Sequence, residues 1–111
     1  MAFSAAAINS MLDHLGTEIT YAGLLDGSNV EATGGTPAYA RKAVTWAAAA
    51  GSSISGNGTL PAFDVPAMTV NKVILMGAST AGTTYNTIDV TDEVFAAQGT
   101  YTLTALGLSG S

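Results

Sequence analysis

A mainly β, antiparallel domain, a sandwich or jelly roll with one short amphipathic helix at its N-terminus, is the fold this chain predicts. Three observations lead there. Apolar residues recur at helical spacing only in the first fifteen positions. After them come some seven short runs rich in Val, Ile, Thr, Tyr and Phe, punctuated by Gly, Asn and Pro, which is how strands and their turns read. No helical pattern alternates with those runs, so a parallel α/β architecture is not expected. At 111 residues the chain is one domain's worth, with the helical segment 1–16 and the β region 17–111 sharing a core.

Ser4 to Leu15 is the expected helix. Ser4 is a good N-cap, Ala5, Ala6 and Ala7 are strong helix formers, and Ile8, Met11, Leu12 and Leu15 fall on one stripe. Gly16 stands where a C′ glycine would end it, with His14 in the last turn. Thr17 to Leu25 reads as a strand with Ile19, Tyr21 and Gly23 on one face. Asp26-Gly-Ser-Asn29 is turn chemistry, opening a loop that runs to Pro37.

Tyr39 to Ala49 is the most unusual run. It carries the only adjacent basic pair, Arg41-Lys42, and the only Trp, Trp46. As a strand it sets Tyr39, Arg41, Ala43 and Thr45 against Ala40, Lys42, Val44 and Trp46. Neither face is wholly apolar, so one cation must lie flat, snorkel or pair with an acid at the core edge. Gly51 to Ile54 continues it, and Gly56-Asn-Gly58 is a hairpin signal.

Leu60 to Val65, set between Pro61 and Pro66, reads as a short strand at an edge or in an irregular crossing. Val70 to Met76 reads as a buried central strand. Ser79 to Thr84 is a turn, Tyr85 to Val90 a strand, and Thr91-Asp-Glu93 a corner. Val94 to Gln98 is a helical turn or a bend, and Thr100 to Leu108 the last strand, ending in a frayed Gly-Leu-Ser-Gly-Ser tail.

Composition narrows function. Eight acids against three bases leave a net charge of -5, so no cation cluster exists to neutralise phosphates or to hold an anionic bilayer. Nucleic acid and membrane are not expected partners. The N-terminus lacks a basic region of the secretory type, and no apolar run approaches the length that spans a bilayer. There is no cysteine, which removes disulfides and thiolate metal sites. Only 10% of residues are charged, against about 25% in ordinary soluble domains, and such a surface suits burial against neighbours.

Candidate chemistry is thin. His14 is the only histidine, and Asp13 beside it points elsewhere on a helix, so no dyad forms. Asp89, Asp92 and Glu93 could offer oxygen ligands to a hard cation, but the twelve-residue calcium-loop pattern is missing and a solvated turn is the simpler reading. Gly77-Ala-Ser79-Thr-Ala-Gly82 fits neither a nucleophile elbow nor a phosphate loop. Asn57-Gly-Thr59 matches a glycosylation acceptor but reads as a turn. Gly34 and Gly35 supply positive φ in a loop. Trp46 reads first as a core anchor and second as a sugar-stacking platform. No catalytic, cofactor-binding or metal residue is assigned, and a hydrolase is disfavoured.

The helix ending Leu15-Gly16, the run Gly35…Tyr39-Ala-Arg41…Val44-Thr-Trp46, then Phe63-Asp-Val-Pro66 and Gly99-Thr-Tyr-Thr-Leu103 together resemble a family of small tailed-bacteriophage virion proteins, of the minor capsid, head-fibre or tail-fibre-like kind. The resemblance covers almost the whole chain. It implies a non-enzymatic structural protein without cofactors, located on the virion. The first expectation is a decoration protein that binds and stabilises the shell of major capsid protein as a trimer or other cyclic oligomer. The alternative is a tail module that binds a host receptor or carbohydrate through exposed tyrosines among Tyr21, Tyr39, Tyr85 and Tyr101. The expected interface residues are Ile8, Met11, Leu12, Tyr39, Arg41, Lys42 and Trp46.

Overall fold

Ser4 caps the helix as its sequence requires. Its hydroxyl oxygen accepts from the Ala7 N–H at 3.2 Å, and α1 spans Ala5–Glu18 in the computed structural model, which describes residues 3–57, 60–104 and 106–109. The expected stop at Gly16 does not occur. The helix runs three residues further, nearly a full turn, because Gly16 is needed for approach, not for termination. A Cβ there would stand 3.1 Å from Ile54 Cδ1 and 3.4 Å from the Trp46 side chain. His14 is therefore not in the last turn, and faces Glu18 at 3.3 Å. The buried stripe is also narrower than the spacing suggests. Ile8 and Leu12 pack with Ile54, Trp46, Ala49 and Leu108, while Met11 is left 46% exposed.

Among the described residues eight strands follow: β1 Tyr21–Leu25, β2 Lys42–Ala43, β3 Ser53–Ser55, β4 Ala62–Val65, β5 Met68–Met76, β6 Thr84–Phe95, β7 Gly99–Thr102 and β8 Gly107–Ser109. They build a four-stranded sheet of order β2-β1-β5-β6 and two ribbons, β3-β8 and β4-β7, with every pairing antiparallel. The fold is mainly β and sandwich-like, with one N-terminal helix.

The core lies between the large sheet and the ribbons. Ala22, Leu24, Val73 and Leu75 meet Phe63, Val65, Leu103 and Leu106, with Ile19, Val44 and Val70 completing the cluster. Eight of its side chains are under 2% exposed, Phe63 the largest. β5 is the buried central strand that its apolar run predicts, paired to β1 on one side and to β6 on the other. A second, small cluster of Leu25, Ile74 and Met76 takes Tyr21 against it. Ile19 thus parts from Tyr21, contrary to the expected shared face. It caps the helix in extended conformation before β1 begins and turns into the main core.

Several expected strands are redrawn. Tyr39 to Ala49 is no continuous strand: only Lys42–Ala43 pairs with β1, and Trp46 and Ala50 make isolated bridges to Gly56 and Ser53. The cause is Trp46, whose indole N–H donates to the Ile19 carbonyl at 2.9 Å and draws the chain toward the helix. The expected Thr91–Glu93 corner does not end the strand: β6 continues to Phe95, and the corner is reduced to a bulge between Asp89 and Glu93. Thr100 to Leu108 splits into β7 and β8, which pair with different partners. Asn57 donates its backbone N–H to the Thr45 carbonyl, and the remainder of the expected 56–58 turn, like the last two residues of the expected tail, lies outside the described residues.

The molecule is elongated, 46 × 23 × 21 Å. Its radius of gyration of 14.7 Å exceeds the roughly 13 Å of a typical compact domain of this length. The twelve residues of β6 span about 40 Å at strand rise, nearly the whole length of the protein.

Candidate functional site

The basic pair of the Tyr39–Trp46 run is where the sequence places most of its chemistry, and the structure resolves what Arg41 does. Its Nε donates to Glu31 Oε2 at 2.8 Å and its NH2 to Glu31 Oε1 at 2.8 Å, a two-point fork. NH1 donates to the carbonyls of Ala78 and Ala81 at 3.0 and 2.7 Å. The Tyr39 hydroxyl donates to Glu31 Oε2 at 2.8 Å and accepts the Leu24 N–H at 2.9 Å. One network thus ties the 26–37 loop, β1 and the 77–82 turn together. The Arg41 side chain is 8% exposed and that of Glu31 27%.

Geometry sets the titration of all three groups. Burial pushes the Glu31 carboxyl up, but the hydrogen bonds from Arg41 and Tyr39 and the guanidinium charge win, and hold it below its ordinary range. The Glu31 hydrogen bond raises Arg41 further. Burial, reinforced by Glu31, drives the Tyr39 phenol well above its ordinary value, although the Leu24 N–H favours the ionised form. Such a network holds a fixed, charged, hydrogen-bonded state. It lacks a group poised to gain or lose a proton near neutrality, which acid–base catalysis requires.

The network also explains Gly23. A Cβ on that residue would lie 2.6 Å from the Tyr39 hydroxyl and 3.0 Å from Glu31 Oε2. Glycine at the middle of β1 is the space in which the Tyr39–Glu31 contact forms.

Of the expected interface residues, the structure brings Tyr39 and Arg41 together in this network, and Lys42 follows them half-buried in β2. Ile8, Leu12 and Trp46 form a separate group that packs inside the protein, where Trp46 joins the helix cluster to the main core. Met11 alone points outward, beside Ser10, His14 and Leu15 around a shallow hollow of about 430 Å³. Of the four tyrosines, Tyr39 stacks on Phe63 with ring centroids 6.3 Å apart, Tyr21 and Tyr101 pack against apolar clusters, and Tyr85 is exposed.

Sequence reasoning did not single out Glu31 as the partner of Arg41, although pairing with an acid was one of the three fates it allowed a cation of the run, beside lying flat and snorkelling. Nor did it find a groove of about 670 Å³ lined by Asp89 to Glu93 on β6 and Thr100 to Thr104 on and after β7. The acidic cluster Asp89, Asp92 and Glu93 was legible, but as a corner. It lies along an extended strand, and among the described residues no three His, Cys, Asp or Glu side chains gather closely enough to hold a metal ion. Glycines 34 and 35 have φ of 79° and 95°, the positive values expected of that loop. Gln98 clamps this loop, accepting from the Thr36 N–H at 3.0 Å and donating to the Pro37 carbonyl at 3.1 Å.

No family model, no curated protein and no solved structure matches the chain.

Proposed function

We propose that this chain is a non-enzymatic structural protein of a tailed-bacteriophage particle, a decoration protein that seats on the capsid surface and associates with copies of itself. The observation that carries the assembly role is β6, a twelve-residue edge strand, largely exposed, on an elongated molecule. Long exposed edges invite pairing with another chain, even where, as between Asp89 and Glu93 here, a bulge and acidic side chains interrupt them. Two further features support the reading. Arg41, the side chain with most chemical potential, is committed to an internal fork. The surface is poor in charge yet carries Phe3, Met11, Val30 and Val94 exposed, apolar points that a neighbour would cover. The virion location rests on the sequence resemblance described above.

A tail module for carbohydrate would need a platform of exposed aromatics, and of the four tyrosines only Tyr85 is open. The decoration reading is therefore preferred. Its test is binding of the purified protein to expanded empty capsids, followed by sedimentation and densitometry. A fixed ratio to the shell protein is expected, and loss of binding to shells together with binding to host cells or glycans would overturn it. The helix is part of the core through Ile8 and Leu12, so its contribution to docking is tested by Met11→Asp, which leaves the packing intact, and not by truncation.

A further inference from the structure

β6 and β7 follow one another through only three residues, Ala96, Ala97 and Gln98. Consecutive strands so closely joined ordinarily pair as a hairpin. Here they do not: β6 pairs with β5, and β7 turns away to pair with β4. Each is the last strand of its sheet, so each has one free edge. The groove between them is walled by five successive residues on either side, Asp89 to Glu93 and Thr100 to Thr104. Successive side chains of a strand point to opposite faces, so walls made of every residue in turn are strand edges and not a sheet face.

The divergence is built in. The Phe95 ring lies where a Cβ on Gly99 would be, 2.6 Å away, and wedges the base of the groove. Gln98 ties the connection to the Thr36–Pro37 backbone. Between its pairings with Val70 and Lys72, β6 runs from Glu93 to Asp89, two residues more than β5 uses. A bulge of this kind bends a strand and interrupts its edge.

Charge identifies what fits. Of the eight acids, Asp13, Glu18, Asp26 and Glu31 each engage an N–H or a cation of this chain. Asp64, Asp89, Asp92 and Glu93 have no such partner among the described residues, and three of these four line the groove. The chain's own cations are placed elsewhere: Arg41 is held by Glu31, Lys72 donates to Asn29, and Lys42 lies on β2, at the far edge of the four-stranded sheet from β6. A second copy would bring its own excess of acid to the same place.

We infer that the groove between β6 and β7 is a strand-acceptor site, which takes an extended, lysine- or arginine-bearing segment of a different protein. The segment adds to the β6 edge, and the neighbouring β7 edge closes over it, so that the four-stranded sheet and the β4-β7 ribbon become continuous. Backbone hydrogen bonds hold the segment and the carboxylates select its charge. This deepens the proposed function, on which it rests for the origin of the segment: an arm of the protein beneath.

The test uses the full chain, labelled with nitrogen-15, and an end-blocked hexapeptide of alternating Thr and Lys. Amide hydrogen exchange and chemical shifts are followed as the peptide is added. Slowed exchange confined to Asp89–Glu93 and Thr100–Thr104 is expected, with affinity that falls as salt rises. The Glu counterpart of the peptide should bind at least roughly tenfold more weakly, the size of two half-screened ion pairs. A backbone-methylated Lys peptide should not protect these amides at all, and Asp92→Lys with Glu93→Lys, both on exposed positions, should reverse the preference. Equal binding of both charges, protection elsewhere, or no protection at millimolar peptide overturns the proposal. So does protection of the same amides by raised protein concentration alone, which would make a second copy the occupant. Shell binding without peptide protection would refute the groove and leave the decoration role standing; peptide protection without shell binding would do the reverse.

Discussion

Replacing Glu31 by Gln removes one charge and little volume, and its effect can be worked from the contacts. Wild-type Glu31 accepts two hydrogen bonds from Arg41 and one from Tyr39. The amide retains one acceptor oxygen and turns an NH₂ group toward either the guanidinium or the phenol. Arg41 keeps its two carbonyl acceptors, Ala78 and Ala81, but its charge is left unanswered in a site where its side chain is 8% exposed. Breaking a fully buried ion pair costs about 3–5 kcal/mol. Glu31 is 27% exposed, so water recovers part of that, and about 2–3 kcal/mol is expected. For a domain of this size the loss lowers Tm by about 10 °C or more.

Thermal unfolding followed by circular dichroism measures it, and pH supplies the control. The folded carboxyl titrates below its unfolded value of about 4.3. Its contribution is thus complete above that pH and is lost as pH falls through the depressed folded value. The variant, lacking the group, should lose less stability than wild type on going from pH 6 to pH 3. A penalty below about 0.5 kcal/mol, the size of an exposed surface pair, or an unchanged acid limb, would refute the account of Arg41 as an internal clamp.

Gly23→Ala should cost about 1–3 kcal/mol by driving the Tyr39 hydroxyl off Glu31 and the Leu24 N–H. In a Tyr39→Phe background, which removes the clashing oxygen, the same change should cost much less, and a double-mutant cycle in urea reads the coupling. Trp46→Phe leaves the Ile19 carbonyl without its donor and should lose about 1–2 kcal/mol; an unchanged urea midpoint would show that the bond is dispensable. Ser4→Ala removes the N-cap acceptor and should lower stability by about 1 kcal/mol, detectable as a small fall in Tm. In alkali the sign reverses from that of Glu31. Tyr39 ionises later in the folded state than in the unfolded one, so stability is intact below about pH 10 and declines above it. Tyr39→Phe should flatten that limb in part, since Tyr101, raised by burial and by Glu93, adds a second contribution of the same sign.

What was legible in the sequence was local. Ser4 and the alanines after it specify a helix start through hydrogen bonding and propensity, and the helix begins there. The apolar run Val70 to Met76 specifies a strand buried on both faces, and β5 is one. Gly34 and Gly35 specify a left-handed loop. Each of these depends on neighbours within a few positions of the chain, so the amino acids themselves carry the information. Pairing with an acid at the core edge was one of three fates readable for a cation of the Arg41-Lys42 run, beside lying flat and snorkelling, because a cation cannot be buried alone.

Partners distant in sequence were decided only by the tertiary structure. Gly16 has the look of a helix stop, but Ile54 and Trp46, brought from 38 and 30 positions away by packing, convert it into a point of contact. Thr91-Asp-Glu93 has the composition of a corner, yet pairing with β5 on either side of it, at Asp89 and at Glu93, reduces it to a bulge within one strand. The choice of β4 over β6 as the partner of β7 is invisible in any local window, since both strands have suitable alternation and the nearer one loses. It turns on which arrangement buries Phe63, Val65 and Leu103 together, a property of the whole core. The groove that follows from that choice belongs to the assembled fold, since no single segment contains it.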